Sequence, residues 1–220
     1  MNGLWLKDLI VLKQQRLAFM LTFVLSTLCI LAFRQIGVAI GMLIFALTIA
    51  FLMLSTVTFD QQNHGLRFLF TLPFTQRQYV RQKFLFLLAT IAAGTVVMAV
   101  IGAGFNALFN WQVAAADIVF VTFAISISTF CILAITLQMQ LANGPASAQV
   151  AMSLIGAIVA VLIGGCYVLI KFTSWGATVF QNLLQYYASD GSLVFIVALL
   201  LLGLVVGLTS YVRSVKTLLI

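Results

Sequence analysis

The sequence predicts an all-α polytopic membrane protein with six transmembrane helices, preceded by a short amphipathic interfacial helix and interrupted by one long polar loop. Three observations carry this. The 220 residues are 64% hydrophobic and only 7% charged, against about 25% charged in ordinary soluble domains. Apolar runs recur at lengths near the roughly 20 residues a spanning helix needs. Short segments of strict apolar–polar alternation, the mark of a membrane β-barrel, do not occur.

Residues 1–16, MNGLWLKDLIVLKQQR, come first. Leu4, Trp5, Leu9 and Leu12 share one helical stripe, while Lys7, Asp8, Lys13 and Gln14 are polar. This pattern suits a helix lying in the membrane interface; the plainer alternative is the frayed start of the first span. No small-x-small cleavage pattern follows, so the segment is read as no cleavable signal. The spans are then 17–33, 36–59, 84–109, 118–141, 148–170 and 193–212, within a single domain covering 1–220. Gly37 and Gly41 on the second span, and Gly203 and Gly207 on the sixth, have the GxxxG spacing that lets helices approach closely, although glycine is also simply frequent in membrane helices. Arg34-Gln35, Asn110–Asp117 and Asn143-Gly144-Pro145 are short turns. Residues 171–192 form the long outer connection, with Trp175, Tyr186 and Tyr187 suited to the head-group level.

Orientation follows from the basic residues. Lys7, Lys13, Arg16, Arg67, Arg77, Arg81, Lys83, Arg213 and Lys216 fall on one side, and only Arg34 and Lys171 on the other. Nine against two places both termini and the 60–83 loop in the cytoplasm. The net charge of +7 is therefore first a topology signal, with attraction to anionic lipid head groups as a second effect. The charges are split among three membrane-adjacent segments, which argues against nucleic acid as a partner.

Much chemistry is excluded. No GxxxxGK[ST] occurs, so the chain has no phosphate loop of its own, and neither HExxH nor GxSxG is present. Glutamate is absent, the acids are four aspartates, and there is one histidine, His64. Cys29, Cys131 and Cys166 lie far apart in apolar runs and read as packing residues rather than metal ligands. Metal sites and catalytic residues are expected to be absent. Asp60, Asp117 and Lys83 sit at predicted span ends, which leaves no ionisable group well inside a span to carry a proton. Mild polarity remains: Thr122, Ser126 and Thr129 share a face of span four, and Asn106 lies on span three. They are candidates for a substrate cavity, or for helix-to-helix bonding and back-bonding to i−4 carbonyls.

The 60–83 loop is too polar to span and too apolar to be a solvated linker. Leu66, Phe68, Leu69, Phe70, Leu72 and Phe74 are apolar, yet the segment also carries Arg67, Arg77, Arg81 and Lys83. Pro73 makes a corner, because the residue before proline avoids the α region. Thr75-x-x-Gln78 reads as a capping box starting a helix that carries Arg77, Tyr79, Arg81 and Lys83 into span three. Such a segment fits a docking surface for a partner protein or an interfacial hairpin anchored in lipid.

The opening MNGLWLKDLIVLKQQ, then Asp60, Gly65 and LFTLPFTQRQYVRQKF, resembles the permease subunits of ABC-2 type transporters over the whole length. Within that family it looks most like the small six-span permeases of exporters for amphipathic peptides, including lantibiotic-type systems. The run Leu69-Phe70-Thr71-Leu72-Pro73-Phe74-Thr75 matches the family's L-x-x-L-P-hydrophobic-[ST] pattern; Arg77 stands one residue later than the family's arginine, and Gln61, Gln62 and His64 occupy positions often acidic or basic.

The resemblance implies a cytoplasmic coupling helix between spans 2 and 3 that docks on a separately encoded ATPase dimer, which would bind ATP and Mg²⁺. It implies a second permease copy or a paralogue, with residues 1–16 (Leu4, Trp5, Lys7, Asp8) as an elbow helix. The coupling residues it points to are Asp60, His64, Gly65, Leu66, Arg67, Phe68, Leu69, Leu72, Pro73, Phe74, Arg77, Tyr79, Arg81 and Lys83. The function implied is ATP-driven export of an amphipathic peptide, lipid-like or drug-like substrate across the plasma (inner) membrane. The competing reading is a non-catalytic membrane sensor or immunity protein whose loop binds another cytoplasmic partner.

Overall fold

The computed structural model describes residues 2–61, 75–172, 178 and 192–218. Among them the regular elements are all helices: α1 (Asn2–Gln14), α2 (Arg16–Gln61), α3 (Gln76–Phe109), α4 (Ala115–Asn143), α5 (Pro145–Phe172) and α6 (Ser192–Leu218). The chain is an all-α polytopic membrane protein. Among the described residues, five helical segments are long and apolar enough to cross a membrane: Arg16–Arg34, Ile36–Gln61, Gln76–Phe109, Ala115–Asn143 and Val194–Thr217. Within α5, Pro145–Ile158 is a shorter apolar stretch. Most of the 171–192 connection, including Trp175, Tyr186 and Tyr187, lies outside the described residues.

The turns form at short polar or glycine-containing breaks between the apolar runs. α2 reverses at Arg34, whose φ of 51° and ψ of −119° are not helical, so its two halves pack against each other as a hairpin. Glycine makes the close approach possible. A Cβ on Gly37 would lie 2.6 Å from the Cys29 carbonyl oxygen, and one on Gly41 would lie 2.8 Å from that of Ser26. At the start of α3 the capping box is present: Thr75 Oγ1 accepts from the Gln78 N–H at 3.3 Å, and Gln78 Oε1 accepts from the Thr75 N–H at 3.1 Å. These bonds satisfy two groups that a helix start leaves without an intrahelical partner. α3 ends at Asn110 in the left-handed region (φ 50°), a conformation asparagine tolerates. Gly144 at φ 87° separates α4 from α5, and Pro145 opens α5, where its missing N–H costs no intrahelical bond.

α4 is the central helix and packs against α2, α3, α5 and α6. The core divides along the bundle. At the α1 end, Met53, Val57, Tyr79, Phe86, Leu87, Leu133 and Leu137 pack together, joined by Trp5 and Leu12 of α1. At the Arg34 end, Ile30, Val38, Met42, Phe45, Met98 and Ile125 pack together, joined by Trp111. The outer faces of Arg16–Arg34 and α6 are apolar and exposed, for example Leu17, Met20, Leu21, Val205 and Leu208, as lipid-facing surfaces require.

Two glycines separate a packing role from mere occurrence. Gly37→Ala drives a methyl group into backbone carbonyls and should destabilise the protein by about 1–3 kcal/mol. Gly156 sits in α5 with nothing within 4 Å of an added Cβ. Gly156→Ala should be neutral or stabilising by up to about 1 kcal/mol through helix propensity. Unfolding titrations of the two variants in the same detergent check the contrast.

Candidate functional site

At the α1 end of the bundle, three helices bring four charges together. Helical spacing sets up each contribution. On α2, Thr56 and Asp60 are four residues apart and so share a face; on α3, Tyr79 and Lys83 do the same, with Gln82 beside them. α1 supplies Lys7 and Asp8. Trp5 holds α1 in place by an edge-to-face contact with Phe86 at 5.2 Å.

Lys83 is the centre. Its Nζ donates to Asp8 Oδ1 at 2.7 Å and to Thr56 Oγ1 at 3.4 Å, and forms an ion pair with Asp60 Oδ2 at 3.0 Å. An ammonium has three donors; two are placed in hydrogen bonds, and the Asp60 carboxylate balances the charge beside them. Its Nζ also lies 5.5 Å from the Tyr79 ring centroid, within cation–π range. The carboxylates are equally well served. Asp8 Oδ2 accepts from Gln82 Nε2 at 2.8 Å, Asp60 Oδ2 from the Tyr79 hydroxyl at 2.9 Å, and Asp60 Oδ1 pairs with Lys7. Lys83 is 0% exposed, Asp8 1% and Asp60 5%; the Lys7 side chain is partly open. Two lysines and two aspartates cancel, which is the condition for keeping charge out of water.

Two neutral networks flank the cluster. Gln15 Nε2 donates to Ser55 Oγ at 2.9 Å. Gln61 Nε2 donates to the Gln140 carbonyl at 2.9 Å, and Gln140 Nε2 to Thr58 Oγ1 at 2.9 Å. Together they tie α2 to α1's following turn and to α4. The arrangement has no nucleophile paired with a base, and no group of three or more metal-ligating side chains occurs among the described residues. What it does physically is lock α1, the end of α2 and the start of α3 into one unit.

The candidate coupling residues divide by position. Asp60, Tyr79 and Lys83 are buried in the cluster, with Lys7 and Asp8 from α1 beside them. Arg77 and Arg81 are exposed on the opposite face of α3. His64, Gly65, Leu66, Arg67, Phe68, Leu69, Leu72, Pro73 and Phe74 lie outside the described residues. On α1, Trp5 and Leu12 pack inward while Leu6, Leu9 and Ile10 are exposed; Leu4 belongs to α1, with its side chain outside the described set. Sequence reasoning did not single out Gln82, Thr56 or the Gln61–Gln140 pair; Thr56, four residues before Asp60, carried a local signal, and the glutamines carried none.

A second feature lies between α3, α4 and α6, where an apolar groove of about 730 Å³ is lined by Thr122 and Ser126 as well as by Gly203 and Gly207. The glycines bring α6 close to α4: added Cβ atoms would lie 2.9 Å from Ile127 Cγ2 and from Phe130 Cε1. Thr129 is buried in the helix packing. Asn106 is engaged elsewhere, clasping the Val113 backbone through both of its amide atoms at 2.9 and 3.1 Å.

Compared with known proteins, the chain matches one family model, described as ABC-2 family transporter protein, over residues 3–218. No curated protein and no solved structure matches it.

Removing one partner of a buried ion pair leaves a charge without compensation and costs about 3–5 kcal/mol. Lys83→Met should lower unfolding stability by roughly that amount. Adding Asp8→Asn to Lys83→Met restores neutrality and keeps the Gln82 contact, so the double variant should recover more than half of the loss. A two-variant comparison of unfolding free energy in detergent checks this.

Proposed function

The chain belongs to the ABC-2 transporter family, and on that premise we propose that it is the permease of an exporter driven by a separate ATP-hydrolysing subunit. The chain is a membrane transport component of that family, associated with an ABC ATPase. In our reading ATP and Mg²⁺ bind on the ATPase dimer, and residues 62–74 dock on it, with Leu69, Leu72 and Phe74 as apolar anchors. Two permease copies, or one copy and a paralogue, complete the assembly in the plasma (inner) membrane, with both termini cytoplasmic. The cargo is an amphipathic peptide, lipid-like or drug-like molecule.

The observation that carries this reading is the ion cluster. Asp60 lies two residues before the 62–74 segment, and Tyr79, Gln82 and Lys83 follow shortly after it. Both flanks are bonded to each other and to α1 through buried contacts of 2.7–3.0 Å. A push on the segment is therefore delivered to three helices at once instead of being absorbed at one end. Burial in a low dielectric makes these contacts stiff, as a force-transmitting joint requires. Arg77, exposed beside the segment, is available to acidic groups on the ATPase.

Co-purification with the ATPase followed by substrate-stimulated ATP hydrolysis tests the reading. The wild type should retain the ATPase. Phe74→Asp buries a charge at the docking surface and should weaken ATPase retention by at least about tenfold, while leaving the permease folded. Undiminished retention and transport in Phe74→Asp would refute the docking assignment.

A further inference from the structure

The groove between α3, α4 and α6 has features beyond the coupling apparatus. Its walls are mostly aliphatic and aromatic, with Leu85, Leu88 and Leu204 among them, and its end at the start of α3 carries Arg81 and Tyr211. Among the described residues Arg81 is the single charged one on the lining, and it is exposed. Arg213 and Lys216, on the last turns of α6, add further positive charge at that end.

The length suits one kind of occupant. From Arg81 to Val96, both on the lining, α3 advances 15 residues, or roughly 22 Å at 1.5 Å per residue. The hydrocarbon of one leaflet is about 15 Å deep, half of a 30 Å core. The groove thus begins near the head-group level and reaches past the bilayer centre. Its volume falls within the usual range for small-molecule sites, about 300–1,000 Å³.

The polar groups on its walls narrow the choice further. Thr122 Oγ1 donates to the Ile118 carbonyl at 2.6 Å and Ser126 Oγ to the Thr122 carbonyl at 2.7 Å. Thr95 Oγ1 donates to the Ile91 carbonyl at 2.9 Å and lies 2.8 Å from Ser126 Oγ. These hydroxyls have spent their donors on backbone. An extended peptide in the groove would find no free hydroxyl donor for its C=O groups, at several kcal/mol each in hydrocarbon. An acyl chain needs no such partners.

We propose that this groove is a binding site for an anionic phospholipid of the bilayer, with an acyl chain lying along α3 and the phosphate paired to Arg81. The guanidinium matches phosphate by its fork of donors, and the aliphatic walls match the chain. The proposal shares with the permease reading only the placement of Arg81 at the head-group level; it needs no ATPase. A permease that fails to bind an ATPase can still show the lipid preference, and the converse also holds.

The test uses the full chain in nanodiscs of equal phosphatidylglycerol and phosphatidylcholine, with chain-spin-labelled versions of each lipid as the probe. Wild type should immobilise labelled phosphatidylglycerol over phosphatidylcholine by about fivefold, the factor expected for one basic group at an anionic surface. Arg81→Gln should bring the ratio close to one. Arg77→Gln, one turn earlier and off the groove lining, should leave it unchanged. Ala92→Trp, which fills the groove from an exposed wall position, should remove the phosphatidylglycerol preference while leaving the lipid that the other outer faces immobilise. The proposal is overturned if wild type shows no preference, or if Arg77→Gln and Arg81→Gln reduce it equally, which marks a diffuse surface effect. Efficient disulfide cross-linking between copies through Leu88→Cys also overturns it, because the groove is then filled by a second copy of the chain.

Discussion

Lys83 is the group on which the α1 end of this protein depends. An ammonium with no exposure to water is tolerated only when its charge is balanced and its donors are occupied. Meeting that condition takes one aspartate from α1, another from the last turns of α2, and a hydroxyl one turn before it. Each of those groups is then committed to one geometry. The helices that carry them are fixed relative to one another far more tightly than apolar contact alone would fix them, since lipid tails compete with leucine for leucine on nearly equal terms. Specific association among α1, α2 and α3 therefore rests largely on polar bonds and on close glycine contacts.

The same economy governs the polar residues elsewhere. Threonine and serine hydroxyls inside the helices mostly bond back to carbonyls three or four residues earlier, as Thr48, Thr90 and Thr136 do. Several glutamines link one helix to another, with Gln140 joining α4 to α2 and Gln15 joining the turn after α1 to Ser55, while Gln78 stays within the capping box at the start of α3. Hydroxyls that satisfy themselves leave a wall chemically plain, and amides that reach across leave a joint. The groove is built from the first kind and the α1 end from the second.

Much of this was legible in the sequence. Helical spans follow from composition, and the breaks at Arg34, Asn110 and Gly144 follow from turn chemistry and run lengths. The Thr75–Gln78 capping box is a local four-residue pattern and appears as expected. Other features depend on contacts that no local pattern encodes. Lys83 looked like one more basic residue of a cytoplasmic loop, because charge near a span end ordinarily faces water; its partner Asp8 lies 75 residues earlier. The face formed by Thr122, Ser126 and Thr129 was readable from spacing. Which of them reaches the groove depends on how α3 and α6 are placed, and Asn106 is diverted by a turn whose backbone it completes.

The separation between Asp8 and Lys83 also bears on how the chain is made. A nascent polypeptide exposes α1 and both halves of α2 before Lys83 has been synthesised. During that interval Asp8 and Asp60 together carry two negative charges against Lys7 alone. The N-terminal helix can therefore dock in its final position only after the first turns of α3 have arrived. Lys83 is thus the last of the four charges to be made, and the neutral cluster is complete only once it is present.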